Sequence, residues 1–201
     1  MTTAAEQIEY RKYLDPKTLA KIQALESTTG SRRSVEWHMI GHIQGRKARL
    51  VAPNFDLIHS LDSVRLAQRL DDLGASLGRQ IPVLLEVNVG GESGKQGWEA
   101  ADREQWPQLL AEIAVVTNLP GIQIRGLMTM PPLAETPEES RRHFRMLREL
   151  QAFLAANVAA VDWNELSMGT SADFTVAVEE GATLVRVGEA IVGPRTLRES
   201  I

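Results

Sequence analysis

The stretch LSMGTSADFTVAVEEGATLVRVG, residues 166–188, carries the clearest structural pattern of the chain. Its two ends belong to WNELSM (163–168) and TLVRVG (183–188), short apolar segments that are typical of buried strands. Between them, Ser171 is placed to cap a short helix that Gly181 ends, with the helix beginning at about residue 172. A strand, a helix and a second strand in this order predict a parallel βαβ unit, and hence an α/β protein.

The same alternation runs through most of the chain. Helices are predicted to begin at Pro16, at Asp62 or Ser63, at Pro107, and at a capping box, Thr136-Pro137-Glu138-Glu139. Six strand–helix units leave a doubly wound sheet and a (β/α) barrel both open. The four further predicted strands are EWHMIG (36–41), LIHSL (57–61), PVLLEVNV (82–89) and IQIRGLM (122–128).

Composition narrows the class of protein. The chain has 201 residues, of which 43% are hydrophobic, and these values suit one globular domain over residues 1–201. A formal net charge of -4 and the lack of a dominant basic stripe argue against nucleic acid as a partner. The sequence has no cysteine, no signal-peptide pattern and no apolar run long enough to cross a membrane. We therefore expect a cytoplasmic protein without a membrane partner.

The turn after residue 168 predicts a site for a phosphate group. Ligands of parallel α/β proteins lie at the carboxyl ends of strands, and the free amides of a first helical turn favour an anion. A second glycine turn after residue 187 is placed to close the site from the next strand. An ordinary serine cap is the alternative, and Asp173 favours it because an acid there already offsets the helix dipole. The candidate phosphate-binding residues are Ser167, Gly169, Thr170, Ser171 and Gly188.

Arg186 is a charged residue within an apolar strand, LVRVG. A buried guanidinium needs a partner, so it either faces a ligand or forms a structural ion pair with Glu165 or Glu86. The histidines do not show metal-ligand spacing: His38 and His42 are four apart, but no third ligand follows.

Four segments together resemble, in order and spacing, the YggS/PROSC family of pyridoxal phosphate (PLP) homeostasis proteins. The resemblance covers about residues 36 to 195. The segments are WHMIGHIQGRK (37–47), LEVNVGGESGKQGW (85–98), IRGLMTMPP (124–132) and LSMGTSADFTVAVEEGATLVRVGEAIVGPR (166–195).

The resemblance implies a (β/α)8 barrel like the N-terminal domain of alanine racemase. It also implies a monomer that binds PLP as a carrier or regulator, without turnover, and that supplies PLP-dependent apoenzymes. The five phosphate-site residues would hold the PLP phosphate. Arg186 would face the pyridine nitrogen and keep it unprotonated, which weakens the ring as an electron sink. Asn88, Lys95 and Met128 match positions at or near the family's pocket.

The sequence also departs from the family pattern. The family's PLP-linked lysine lies on its first strand in a motif like Val-Ser-Lys-Thr, and a strand ending in Gly-Glu-Asn follows; neither occurs here. Residues 1–35 instead form an atypical segment with one predicted helix. We therefore expect an incomplete barrel of about six strands, which binds PLP with or without a Schiff base. Lys95 is the candidate substitute lysine, and Thr170 and Arg46 are milder departures, standing where the family usually has methionine and asparagine.

Three other functions are open. A racemase-like PLP enzyme needs a second domain with a tyrosine base, and the two tyrosines here, Tyr10 and Tyr13, lie in the N-terminal segment. A barrel enzyme acting on a sugar phosphate needs inward carboxylates, for which Glu86 and Glu165 are the candidates. A truncated or vestigial barrel would bind nothing. Retention of PLP would distinguish the carrier from the sugar-phosphate enzyme and from the vestigial barrel. Amino-acid racemisation would distinguish the racemase-like enzyme from the carrier.

Overall fold

The computed structural model describes residues 36–193. Six strands form one parallel sheet in the order β1-β2-β3-β5-β6-β7, and β4 pairs with β3 beside this path. The six predicted strands are confirmed, and β4 was missed. The strands are β1 (His38–Met39), β2 (Leu57–Leu61), β3 (Ile81–Asn88), β4 (Trp98–Glu99), β5 (Ile122–Met128), β6 (Glu165–Thr170) and β7 (Leu184–Arg186).

The strand order decides between the two predicted architectures. A doubly wound sheet reverses its strand order at a switch point, whereas a barrel adds each strand beside the previous one. Here the order follows the chain without a reversal, and the sheet curls into an incomplete barrel with β1 and β7 at its edges. The barrel prediction is therefore confirmed.

Helices connect the strands and cover one side of the sheet. The Ser63 hydroxyl accepts a hydrogen bond from the Leu66 amide at 3.3 Å, so the predicted start of α2 is confirmed. Pro107 lies in the first turn of α3, also as predicted. The helices are α1 (Ala48–Val51), α2 (Val64–Leu77), α3 (Trp106–Thr117), α4 (Arg141–Asn157), α5 (Phe174–Glu179) and α6 (Glu189–Val192), with 3-10 turns at Gly45–Lys47, Arg103–Gln105 and Pro137–Ser140.

Two predicted helix starts differ from the structure. At the 136–139 box, the Thr136 hydroxyl donates to the Glu139 carboxylate at 2.9 Å and caps no amide, and α4 begins only after a 3-10 turn. The prediction that Ser171 caps a helix from residue 172 is wrong. β6 continues to Thr170, and α5 begins at Phe174 with Asp173 at the N-cap position. The helix predicted at Pro16 lies outside the described residues.

The two faces of the sheet have different cores. The large core joins strand residues such as Ile58 and Leu127 to helix residues such as Leu147. A small second cluster holds Leu57, Leu84 and Met128, with Leu184 packed against it. Since alternate residues of a strand share a face, this cluster marks the inner face, the side away from the helices.

A bulge in β5 sets which residues reach that inner face. Val83 pairs with Ile124, but Leu84 pairs with Gly126, so Arg125 is an extra residue in β5. Gly126 has a φ of 152°, and a Cβ there would lie 1.9 Å from the Glu165 carbonyl oxygen. After the bulge, Leu127 joins the large core and Met128 joins the inner cluster.

Buried Glu180 ties α5 to α4. Its carboxylate accepts from Arg141 at 2.8 Å, from Arg145 at 3.0 Å and from Arg148 at 3.2 Å. The hydrogen bond from Arg141 is the main reason that the pKa of Glu180 lies below its ordinary value. This cluster fixes the short α5 behind the end of β6. Within residues 36–193, the helices are too short or too polar to cross a membrane.

Candidate functional site

A polar layer lies above the inner cluster, toward the carboxyl ends of β2, β6 and β7. One row of neighbouring residues crosses the sheet from Glu86 to Met128, then to Ser167 and Leu184. Arg186 lies two residues beyond Leu184, and His59 lies two residues beyond Leu57. Both side chains are therefore on the same inner face. The carboxyl end of the sheet is where parallel α/β proteins place their ligands.

Arg186 is held by neutral partners. Its guanidinium donates to the Ser167 hydroxyl at 2.7 Å and to the Thr129 carbonyl oxygen at 2.8 Å. Among residues 36–193 it has no carboxylate in ion-pair range, and Glu165 instead pairs with Arg125 at 3.1 Å. The alternative of a structural ion pair is therefore wrong. Burial lowers the pKa of Arg186 to about 10, so the side chain is charged at neutral pH.

Two histidines extend this network. The Ser167 hydroxyl lies 2.8 Å from His59 Nδ1, and His59 Nε2 lies 2.9 Å from His38 Nδ1. Ser167 accepts from Arg186, so its own proton goes to His59 Nδ1. We therefore assign the His59 proton to Nε2, which donates to His38. We call this group the Arg186 network; it consists of Arg186, Ser167, Thr129, His59 and His38. Its hydrogen bonds are donated in one direction, from Arg186 to Ser167, from Ser167 to His59 and from His59 to His38.

The charge of His59 agrees with this assignment. Burial, the neighbouring His38 and the Arg186 guanidinium lower the pKa of His59 to about 3. The ring is therefore neutral at physiological pH and has one donor and one acceptor, as the network requires. His38, predicted to lie in a strand, bonds to His59. In the described part of the chain, no three His, Asp or Glu side chains are grouped as a metal site.

The end of β6 and the turn after it bring together four of the five predicted phosphate-site residues, whereas Ser167 lies in the Arg186 network. Gly169 has a φ of 89°, and a Cβ there would lie 2.5 Å from the Ala177 side chain, so the turn packs directly on α5. The Ser171 hydroxyl accepts from the Ala190 amide at 3.3 Å, which joins this turn to the one that follows Gly188. The Asp173 carboxylate bonds back to the Thr170 amide at 2.7 Å. This bond explains why α5 begins later than predicted.

Asn88, Met128 and Lys95 lie in other surroundings. The Asn88 amide group donates to the Glu92 carbonyl and the Glu99 carboxylate, and accepts from the Gly90 and Gly91 amides, at 2.9–3.2 Å. It therefore holds the loop after β3. Met128 is buried in the inner cluster beneath the Arg186 network. Lys95 is paired with Glu92 and lines a cleft at the ends of β1, β2 and β3.

The sequence analysis missed His59 and Thr129. His59 stands in the apolar segment LIHSL, and an imidazole at an inward position of a buried strand was the available signal. Thr129 follows β5 directly, but its carbonyl contact with Arg186 spans 57 positions and leaves no local pattern.

Comparison with known proteins agrees with this architecture. The profile of the alanine racemase, N-terminal domain family matches residues 18–196. The chain belongs to this family. Two family members named pyridoxal phosphate homeostasis protein are close in sequence. The Aquifex aeolicus protein is 42% identical over 88% of this chain and 72% of its own length. The Vibrio alginolyticus protein is 41% identical over 80% of this chain and 66% of its own length.

Solved structures extend the comparison. PipY of Synechococcus elongatus PCC7942, without PLP, is 37% identical, with a TM-score of 0.70 over 89% of this chain and 80% of PipY. The PLP-bound form of PipY is 36% identical, with a TM-score of 0.67 over 89% of this chain and 79% of PipY. Alanine racemase of Clostridium difficile 630, at 18% identity and a TM-score of 0.56, shares the fold. The chain spans about two thirds of the length of the curated relatives it matches.

Proposed function

We propose that this chain binds PLP at the carboxyl end of its sheet and acts in PLP homeostasis as a carrier or regulator. The observation that carries the proposal is Arg186, a charged guanidinium on the inner face that is fixed by Ser167 and Thr129. Two findings support it. The PLP-bound PipY structure is 36% identical to this chain, and several relatives are named for PLP homeostasis.

The phosphate of PLP would lie at the turn formed by Gly169, Thr170 and Ser171, next to Gly188. This turn fits an anion because the backbone amides of Ser171 and Ala172 have no hydrogen bond within the described residues. The Ser171 hydroxyl accepts from Ala190 and keeps its own proton for a ligand. The Asp173 carboxylate occupies the Thr170 amide, so Thr170 would contribute less than its neighbours.

Arg186 would hold the pyridine nitrogen as an acceptor. Its neutral partners, Ser167, Thr129 and the Met130 sulfur, take up some of its N–H groups and leave others for a ligand, since a guanidinium has five donors. PLP, when bound, supplies an aldehyde and a ring that accepts electrons. A guanidinium donates a hydrogen bond but does not release its proton at neutral pH, so it would leave that nitrogen unprotonated and the ring a weak electron sink. This chemistry suits storage and transfer better than turnover.

The wider role follows from this proposal. A chain that retains PLP without turnover would supply it to PLP-dependent apoenzymes, and we propose that it does so as a cytoplasmic monomer. Covalent attachment is a separate question, since Lys95 is paired with Glu92 and lies at the β1–β3 side of the sheet. We propose that binding rests on the turn and on Arg186, and that Lys95 makes no covalent link.

The test is retention of PLP by the purified 201-residue chain. The protein is mixed with PLP, desalted, and its visible spectrum and intact mass are recorded before and after borohydride reduction. We expect a retained PLP absorption band without a covalent adduct. An adduct that peptide mapping places on Lys95 would overturn the non-covalent part of the proposal.

A chain that retains no PLP would contradict the function itself. Ser76→Ala, an exposed change on α2, serves as the control for handling and folding. Racemisation of alanine by the PLP-loaded chain would instead favour an enzyme, and it is measured in the same samples.

A further inference from the structure

A cleft at the carboxyl ends of β1, β2 and β3 is not used by the proposed PLP site. It has a volume of about 360 Å³, within the range of small-molecule sites. With the exception of Lys95, none of the residues predicted to bind PLP lines it. The residues that bear on its chemistry are His42, Asp62, Arg65, Arg69, Lys95 and Gly97.

Two pairs in the cleft already satisfy each other. The buried Asp62 carboxylate accepts from His42 Nδ1 at 3.0 Å and from the Ser63 hydroxyl at 2.9 Å. Lys95 is paired with Glu92 from the same loop. These pairs leave no free carboxylate among the residues that line the cleft, so its remaining charge is positive.

That positive charge comes from two arginines. Arg65 and Arg69 are one turn apart on α2 and share a helix face. Neither guanidinium has a hydrogen bond or ion pair in the part of the chain that the structure describes. Arg69 extends over Gly45, where a Cβ would lie 3.4 Å from its Nη1. Two uncompensated guanidinium groups thus line one cleft of a chain whose net charge is -4.

His42 adds a directed group to this cleft. Because Asp62 accepts from Nδ1, the imidazole keeps a fixed orientation and its Nε2 is free to meet a ligand. Nε2 accepts from a protonated phosphate oxygen, or donates to an unprotonated one when the ring is charged. The Asp62–His42 pair therefore complements the two forked donors of the arginines.

We propose that this cleft is a binding site for a small oxyanion, a phosphate ester or a carboxylate. Arg65 and Arg69 contact the anion through paired N–H groups, which match the geometry of both oxyanions. His42 contacts a further oxygen. The site is separate from the PLP site and does not depend on it.

The experiment titrates inorganic phosphate, and in a parallel series succinate, into the full 201-residue chain at constant ionic strength. Backbone amide NMR follows residues 42–45, 62–69 and 95–97 as reporters of the cleft. Residues 167–171 and Gly188 report the proposed PLP site. Each titration is run with and without saturating PLP. Loss of PLP binding therefore cannot be mistaken for loss of the cleft.

Two double variants separate a built site from general attraction. Arg65→Gln with Arg69→Gln removes the two cleft guanidinium groups, and both positions are exposed on α2. Lys47→Gln with Arg49→Gln removes two exposed cations that lie nearby in the chain but outside the cleft. We expect saturable shifts at the cleft in the unmodified chain. The affinity should fall by about tenfold or more in the first variant and by less than about twofold in the second.

Three results would overturn the proposal. They are equal weakening in both double variants, shifts that do not saturate, and shifts confined to residues 167–171 and Gly188. A response to phosphate but not to succinate would assign the site to phosphate esters, and the reverse would assign it to carboxylates.

Discussion

The two candidate sites, at β6–β7 and at β1–β3, hold their arginine side chains in different ways. At the β6–β7 end, Arg186 is half-buried, and its guanidinium is fixed by a hydroxyl and a carbonyl oxygen. At the β1–β3 end, Arg65 and Arg69 are exposed and have no partner within residues 36–193. The first cation is positioned before a ligand arrives, whereas no hydrogen bond within the described residues fixes the second pair. Preorganisation lowers the entropic cost of binding, so the β6–β7 end should bind the more tightly.

Replacing Arg186 by Gln tests this comparison with the largest expected effect. The variant loses the charged donor for the ligand, so we expect PLP affinity to fall by about 100-fold. The measurement is a fluorescence titration with PLP. Arg49→Gln, a charge removal at the β1 side, should change the affinity by less than about twofold. Equal losses of PLP affinity in the two variants would show that the fixed Arg186 contributes no more to PLP binding than an exposed arginine.

The loop beside the cleft depends on Asn88, whose side chain makes four hydrogen bonds. We expect Asn88→Ala to lower the free energy of unfolding by about 2–3 kcal/mol, because buried loop groups lose their partners. Urea unfolding measures the loss, and hydrogen exchange should speed up in residues 90–97. Asn118→Ala, which removes one exposed bond, is the control and should cost under about 1 kcal/mol. A loop whose exchange is unchanged would mean that Asn88 does not hold it.

The buried network should also make the protein sensitive to acid through His59. Its pKa is about 3 in the folded chain and 6.5 in the unfolded chain, so the unfolded state binds the extra proton in this window. Stability is therefore lost as the pH falls from 6.5 toward 3. We expect the free energy of unfolding to drop by about 1–2 kcal/mol between pH 7 and pH 5 from this group.

The comparison variant for that prediction is His59→Asn. Its unfolding is followed by urea titration at several pH values, and its stability should depend less on pH over the same interval. An unchanged slope would assign the acid sensitivity to other groups and weaken the case for a neutral His59.

Ser171→Ala should give the smallest effect. It removes one hydroxyl donor from the proposed phosphate turn, while the backbone amides remain, so we expect PLP affinity to fall by about threefold to tenfold. Equilibrium dialysis against PLP measures it. The exposed Ser76→Ala change on α2 should leave the affinity as it is, and a similar loss in both variants would remove Ser171 from the site.

Local patterns predicted most of the fold. The strands were found because they are short apolar segments with clear boundaries, and α2 because Ser63 caps it. β4 was missed because it has two residues and follows a glycine-rich loop. The start of α5 was misplaced because the Asp173 carboxylate bonds backward to Thr170, and the sequence does not distinguish that bond from a helix cap.

The candidate site was less predictable than the fold. That Arg186 needs a polar partner, inward or toward a strand end, followed from its place between valines on an apolar strand. Its partners did not, because Ser167 and Thr129 are 19 and 57 positions away. Lys95 follows β3 as expected, but its pairing with Glu92 and its place in the cleft depend on how the loop turns around Asn88.

The extra residue in β5 has a consequence for how this sheet tolerates change. Ile122 and Ile124 face the helices, and if Arg125 paired regularly instead of forming the bulge, the alternation would send Met128 to the helices as well. Deleting Arg125 would leave a regular strand in which Leu127 and Met128 keep their faces. Inserting one further residue, in contrast, would shift the alternation and exchange Leu127 with Met128. It would also turn Thr129, whose carbonyl oxygen holds Arg186, to a new direction. A length change on one strand would thus be transmitted across two neighbouring strands to the guanidinium.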